Sequence, residues 1–349
     1  MSLRNEAKSV FQRLKTEDEV KVRIALFGQP GAGKSSLINA ITGQPLAPEG
    51  VTTDTTKESI HYEWHSLYLV DLPGYGTRGF PRESYFTKFD VLSFDVFICC
   101  FDGKLRDTDV DFFLELKRRG KPCVFVRNKV DALFQRGVTV PELKKNISEE
   151  VSGTIGNDAT LLFTSCKTGT GIAGLQDALA SCLGEVERAR FFRFAKAYTS
   201  IFLEKKKKAC EEYIAIAAGA SAVNGLNPIP GLDISVDAGI LVGLFVKIKA
   251  VYGIRDESLG MKDFLPQVLA PIANRLLSFA SKDGVMFVLK KFAGRMVTKA
   301  LVKWVPFVGQ LIAASAGFAI TMAAGNDYLK DCHQIAEYIL DQEMKNGAG

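Results

Sequence analysis

Residues 28–35 read Gly-Gln-Pro-Gly-Ala-Gly-Lys-Ser, the spacing GxxxxGK[ST], between an apolar run, Val22–Phe27, and a helical pattern opening at Lys34. No other feature of the chain narrows its possible folds as far. The motif needs a strand before it and a helix after it. Its glycines let backbone N–H groups turn inward toward phosphate oxygens, and the helix N-terminus favours an anion. Gly28, Gly31, Ala32, Gly33 and Ser36 are the expected backbone cradle. Lys34 is placed to reach β- and γ-phosphates, and the Ser35 hydroxyl to ligate magnesium. The motif alone does not separate adenine from guanine nucleotides.

Of three later segments, the last two make that distinction. Asp71-Leu-Pro-Gly74 follows an apolar strand. Asp71 is expected to hold magnesium through water, and the Gly74 amide to face the γ-phosphate. Asn128-Lys129-Val130-Asp131 follows the apolar run Cys123–Arg127. A carboxylate there accepts two hydrogens from the guanine N1 and N2 edge, which adenine cannot offer, so mismatch leaves buried polar groups unpaired. Asn128 is expected to fix the loop and the base N7, with Lys129 packing over the ring. Thr164-Ser165-Cys166-Lys167 resembles the SAK element, whose backbone N–H meets guanine O6. The four segments in this order imply GTP or GDP with magnesium as cofactors. Between the first two lies Val51-Thr52-Thr53-Asp54-Thr55-Thr56. Thr53 is the chosen magnesium and γ-phosphate sensor, with Thr52 and Thr55 as alternates. The expected catalytic set is therefore Lys34, Thr53 and Gly74, and the metal set Ser35, Thr53 and Asp71.

Tyr75, not glutamine, follows Gly74. Small signalling GTPases use that glutamine to orient the attacking water. Another group must do so here, so hydrolysis by a lone subunit is expected to be slow and to rise with self-association. Arg78 and Arg82 lie in the same segment and could carry charge across such an interface, but solvated arginines are the favoured reading.

Strands are expected at Val22–Phe27, Ser59–Trp64, Leu67–Asp71, Val96–Phe101, Cys123–Arg127 and Leu161–Thr164, and helices at Lys34–Thr42, Asp107–Arg119, Pro141–Val151 and Gly171–Leu183. Such alternation gives a mostly parallel sheet with helices on both faces. The second and third strands are close enough to form an antiparallel hairpin. Beyond Glu185 the strand pattern ends and Ala/Leu/Lys-rich segments point to an all-α domain. The expected fold is an α/β P-loop domain plus an all-α helical domain. The boundaries are 1–18 for an N-terminal helix packing with the helical domain, 19–185 for the nucleotide domain and 186–349 for the helical one.

Seven cysteines without a CxxC spacing, and three histidines, suggest neither a disulfide framework nor a zinc site. The first twenty residues are charged and show no apolar core of a signal peptide. Two nearly charge-free stretches, Tyr213–Leu232 and Trp304–Ala324, approach the length of a membrane span. Their Gly, Pro and polar residues favour buried helical hairpins. Residues 1–190 hold 25 Lys/Arg and 25 Asp/Glu, so the net charge of +5 sits entirely in the second half. An anionic partner is expected there. Lys291, Arg295, Lys299 and Lys303 recur every four residues, one stripe on a helix, beside Leu289, Phe292 and Met296. Such a helix can lie in an anionic headgroup layer. The Lys205–Lys208 run is read as a plain solvated face.

Three phrases of the second half carry a resemblance. They are Asn227-Pro-Ile-Pro-Gly-Leu-Asp233-Ile-Ser-Val-Asp237, Tyr252-Gly-Ile-Arg-Asp-Glu-Ser-Leu259 and Val305-Pro-Phe-Val-Gly-Gln-Leu-Ile-Ala-Ala-Ser-Ala-Gly-Phe318. With the phosphate loop they resemble the immunity-related GTPases over nearly the whole chain, and Lys34 is similar to the lysine-bearing subgroup. The resemblance implies GTP hydrolysis, GTP-driven oligomerisation through the nucleotide domain, and attachment to intracellular membranes. The expected location is the cytoplasm, peripheral on such membranes. Potassium-activated relatives carry Asn where this chain has Gly31, so potassium activation is not expected. An Era-like RNA- or ribosome-associated GTPase and a non-hydrolysing scaffold are the alternatives. No RNA-binding appendage is found, so no nucleic acid partner is expected, and no protein partner besides the chain itself is identifiable.

Overall fold

Strands buried on both faces need continuous apolar runs, and these runs build the sheet. The computed structural model describes residues 20–48, 59–156, 159–224, 233–260, 265–279 and 316–347. The chain divides into two compact units that meet in sequence at Tyr198 and Thr199.

The first unit alternates β1 (Val22–Gly28), α1 (Lys34–Thr42), β2 (Ile60–Trp64), β3 (Leu67–Asp71), α2 (Arg82–Lys88), β4 (Val96–Phe101), α3 (Asp107–Arg118), β5 (Cys123–Arg127), α4 (Val140–Ile155), β6 (Thr160–Phe163), α5 (Ile172–Cys182) and α6 (Glu185–Phe194). The sheet has the order β2-β3-β1-β4-β5-β6. β2 pairs antiparallel with β3, with Tyr62 opposite Leu69, and the other neighbouring pairs are parallel. All six residues of the central strand β4 are buried. One core layer is an aromatic cluster around Phe112 of α3. Phe27 and Tyr75 each lie 4.8 Å from it between ring centroids, and Tyr85 lies 5.2 Å away.

The unit boundary falls after Tyr198 rather than after Glu185. The reason is packing: α6 contacts β1 and β3, Phe191 is fully buried, and Phe194 stacks on His65 at 4.6 Å. The other differences are small. α4 starts at Val140, where Thr139 and Glu142 form a capping box around Pro141, and it runs on to Ile155. α2 and α6 were not expected from the sequence, being short and weakly periodic.

The second unit contains α7 (Ser200–Asn224), α8 (Asp233–Val251), α9 (Asp256–Gly260), α10 (Ala270–Phe279) and α11 (Ala316–Gly347). α11 packs along α7 and α8. Gly325 permits the approach, since a Cβ there would lie 2.6 Å from Ile214 Cγ2. Phe245 stacks on Tyr328 at 4.3 Å, and Arg275 pairs with the buried Asp331. Lys206 corrects the expectation for the Lys205–Lys208 run: it is buried, and its ammonium donates to the Val251 carbonyl at 2.8 Å. Burial pulls its pKa down to about 7. The N-terminal segment 1–18, Thr52, Thr53, Thr55, the turn around Pro228 and the stripe Lys291, Arg295, Lys299 and Lys303 lie outside the described residues. No described helix is long and apolar enough to cross a membrane.

Candidate nucleotide site

The loop between β1 and α1 takes its shape from backbone that needs glycine. Gly28, Gly31 and Gly33 have φ of 118°, 78° and 93°. A Cβ on Gly28 would overlap the Cys100 carbonyl oxygen of the adjacent strand, and one on Gly33 would overlap Asn128 Nδ2. Gly33, at the cap of α1, offers no side chain to the first turn of the helix. That is the arrangement an anion fills.

Lys34 is buried. Its ammonium donates to the carbonyls of Gly28 (3.3 Å) and Gln29 (3.2 Å) and lies 3.7 Å from Asp71 Oδ1. Asp71 ends β3. Burial lifts its carboxyl to about 6 against the opposing pull of Lys34. Asp71 Oδ1 is buried without a hydrogen-bond partner. The buried Asp71 carboxylate, ion-paired with Lys34, together with the half-buried Ser35 hydroxyl on α1 forms a hard oxygen donor set of the kind magnesium takes. Gly74 is exposed and its carbonyl accepts from Thr77 Oγ1 at 3.1 Å.

Tyr75 is a packing residue. It is 8% exposed, within the aromatic cluster, and Arg82 sits 5.7 Å above its ring. Arg82 also pairs with Asp111 of α3 and is not simply solvated. Arg78 is exposed.

On the other side, Asn128 ties three segments together. Its Nδ2 donates to the Ala32 carbonyl (2.9 Å), and its Oδ1 accepts from Thr164 Oγ1 (3.0 Å), with Cys166 Sγ at 3.8 Å. Lys129 adopts φ 58° and pairs with Asp102 at 2.8 Å. The exposed carboxylate of Asp131 accepts from Ser165 Oγ at 2.6 Å. Ser165 is itself held by its N–H to Thr170 O at 2.9 Å. Lys167 is exposed beside it. The structure thus brings the loop of residues 28–36, Asp71, residues 128–131 and residues 164–167 to the same ends of the parallel strands, where ligands of open α/β sheets bind.

Two further residues were missed from the sequence. Gln29 is buried, its Nε2 donating to the Lys104 carbonyl and its Oε1 accepting from the Asp102 N–H at 3.4 Å. It joins the phosphate loop to the segment whose Asp102 holds Lys129. Its position is unspecified within the motif, so nothing marked it. Asp109, in the first turn of α3, is 6% exposed, with Oδ2 unpartnered and burial lifting its carboxyl to about 6. An acid at a helix start is commonplace, which hid it.

The family model "Interferon-inducible GTPase (IIGP)" matches residues 2–262. Interferon-inducible GTPase 5 of Bos taurus is 26% identical across 95% of this chain and 78% of its own length. Interferon-inducible GTPase 1 of Mus musculus is 26% identical over 72% of this chain and 66% of its own. A solved structure of Aquifex aeolicus Era bound to GDP and AlF4 aligns with TM-score 0.38 and 17% identity, over 57% of this chain and 67% of that one. The family match spans the whole nucleotide unit and extends into the helical one. On that ground the chain belongs to the interferon-inducible GTPase family, and it binds and hydrolyses GTP.

Proposed function

We propose that this GTPase is magnesium-dependent, assembles with further copies of itself when GTP-loaded, and associates peripherally with anionic intracellular membranes. The observation that carries the catalytic reading is the buried Lys34–Asp71 pair beneath an uncapped helix start. Lys34 exchanges the Gly28 and Gln29 carbonyls for phosphate oxygens. Gly28, Gly31, Ala32, Gly33 and Ser36 cradle the phosphates through the backbone, and Gly74 offers its amide to the γ-phosphate. Ser35 and Asp71 would hold magnesium, with Thr53 as the third candidate. When bound, the ion neutralises charge on the β- and γ-phosphates. Asp131, aligned by Ser165, reads guanine. Asn128 holds the base loop to the phosphate loop, Lys129 covers the ring, and the Cys166 and Lys167 backbone meets the base carbonyl.

Self-assembly is inferred from Tyr75. It occupies the place of a water-orienting glutamine and is packed against Phe112, so no group at that position orients water within one subunit. The membrane reading rests on the charge asymmetry and the stripe Lys291, Arg295, Lys299 and Lys303. The family match into the helical unit favours this reading over an Era-like RNA-associated one, and the intact Lys34, Ser35 and Asp71 favour hydrolysis over a scaffold role.

GTP turnover per molecule, measured against protein concentration with and without anionic liposomes, tests both parts. Specific activity should rise with concentration. Arg295→Glu with Lys299→Glu should weaken liposome binding more than about tenfold, at roughly 1 kcal/mol per basic residue, while sparing nucleotide affinity. Flat activity over a hundredfold dilution would refute assembly-driven hydrolysis. Equal pelleting of wild type and double variant would refute the stripe.

A further inference from the structure

His333, Glu204 and Glu337 meet in the helical unit, far in sequence from every nucleotide-binding segment. His333 and Glu337 are four residues apart on α11 and so share one helix face. Glu204 comes from α7. His333 is 4% exposed, while both glutamates reach solvent. Its Nε2 lies 2.9 Å from Glu204 Oε1 and 3.4 Å from Glu337 Oε1. The three ligand atoms all fall within 4.8 Å of one another. Behind the ring, Nδ1 meets the hydroxyl of Tyr252, the residue after α8, at 3.3 Å.

The chemistry of that contact has two solutions. Two carboxylate oxygens cannot both face the lone pair of a neutral Nε2. Either a proton sits on Nε2 and is donated to Glu204, or a cation sits among the three atoms. Bonds of about 2.0–2.2 Å to zinc place neighbouring ligand atoms about 3.3–3.6 Å apart in a tetrahedron. The 3.4 Å separation from Glu337 falls in that range and the 2.9 Å separation from Glu204 lies below it, so the exposed carboxylates rotate to admit an ion. Tyr252 supplies the outer-shell partner that histidine ligands commonly have, its hydroxyl placed to accept from Nδ1–H. Lys207, 3.6 Å from Glu204 Oε2, is the competing cation, on a flexible side chain at the surface.

We propose that Glu204, His333 and Glu337 form a binding site for a divalent transition-metal ion, zinc foremost, that braces α7 against α11. One nitrogen and two carboxylate oxygens leave the fourth position to water. Zinc takes the Nε2 lone pair of the neutral tautomer that carries its proton on Nδ1, and Nδ1–H donates to the Tyr252 hydroxyl. The site is separate from the magnesium donors Ser35 and Asp71, which belong to the other unit.

The test uses the full chain, stripped of metal and nucleotide, titrated with ZnCl2 by calorimetry and with CoCl2 by visible absorption. Wild type should take up one equivalent of zinc that Glu204→Gln/Glu337→Gln does not. Cobalt should give the d–d bands of a tetrahedral nitrogen–oxygen site without a near-ultraviolet thiolate band. Tyr252→Phe keeps all three ligands and should weaken affinity about tenfold. GTP-analogue binding should be the same in every variant. Should the double variant fail to melt cooperatively, Glu337→Gln alone, at an exposed position, carries the comparison. Equal zinc uptake by wild type and variant, no uptake by wild type, or a thiolate band from any of the seven cysteines would each overturn the proposal and leave His333 as a hydrogen-bonded clamp.

Discussion

Asp109 offers a sharp test of how burial acts in the nucleotide unit. Its carboxyl is 6% exposed, one oxygen has no partner, and burial lifts its pKa from 3.8 to about 6 despite the attraction of Arg106 and Lys34. A folded-state pKa above the unfolded one means the folded state holds the proton more tightly. The stability it contributes is complete below about pH 4 and is lost as pH rises through about 6. A shift of roughly two units corresponds to about 3 kcal/mol. Asp109→Asn keeps the shape and removes the ionisation. The variant should match wild type near pH 4 and become more stable with rising pH, by about 1–3 kcal/mol at pH 8. Asp71 titrates in the same window and direction, so only the difference between the two proteins isolates Asp109. The assay is urea denaturation of nucleotide-free protein between pH 4 and 8. Trp64 on β2 reports on this unit, in a Trp304→Phe background that removes the chain's other tryptophan. A difference that is constant with pH, or a variant less stable at pH 8, would refute the reasoning.

Lys34→Ala removes the cation that faces the phosphate loop. A fluorescent GTP analogue should bind about a hundredfold more weakly, in keeping with two lost charge-assisted hydrogen bonds. Asp131→Asn turns an acceptor pair into one donor and one acceptor. Competition binding should show the preference moving from GTP to xanthosine triphosphate, and retained GTP preference would remove Asp131 as the base reader. Gln29→Ala cuts the bonds to Lys104 and Asp102. Dissociation of a fluorescent GDP analogue should quicken by about fivefold to tenfold, about 1 kcal/mol, and an unchanged off-rate would show that the bracket does not reach the ligand.

The sequence by itself determined the nucleotide unit, because its requirements are local. Gly28 and Gly33 must be glycine where a Cβ would strike Cys100 or Asn128, so the loop writes its geometry into residue types. Strands buried on both faces, such as β4, must be unbroken apolar runs, which made their bounds legible to within a residue. The ordered segments at Asp71, Asn128–Asp131 and Thr164–Lys167 were readable for the same reason. Tertiary structure alone decided what depends on distant partners. Phe191 and Phe194 draw α6 into the first unit although Glu185–Phe194 looks like the start of the second. Tyr75 became an anchor because Phe112 and Tyr85 arrive beside it from α3 and α2. Lys206, in a run that reads as solvated, is buried because Val251 offers a carbonyl across the helical unit. Spacing puts His333 and Glu337 on one helix face, but nothing in it joins Glu204 to them. α7 and α11 pack side by side, and only then do a carboxylate and an imidazole 129 residues apart come within 2.9 Å.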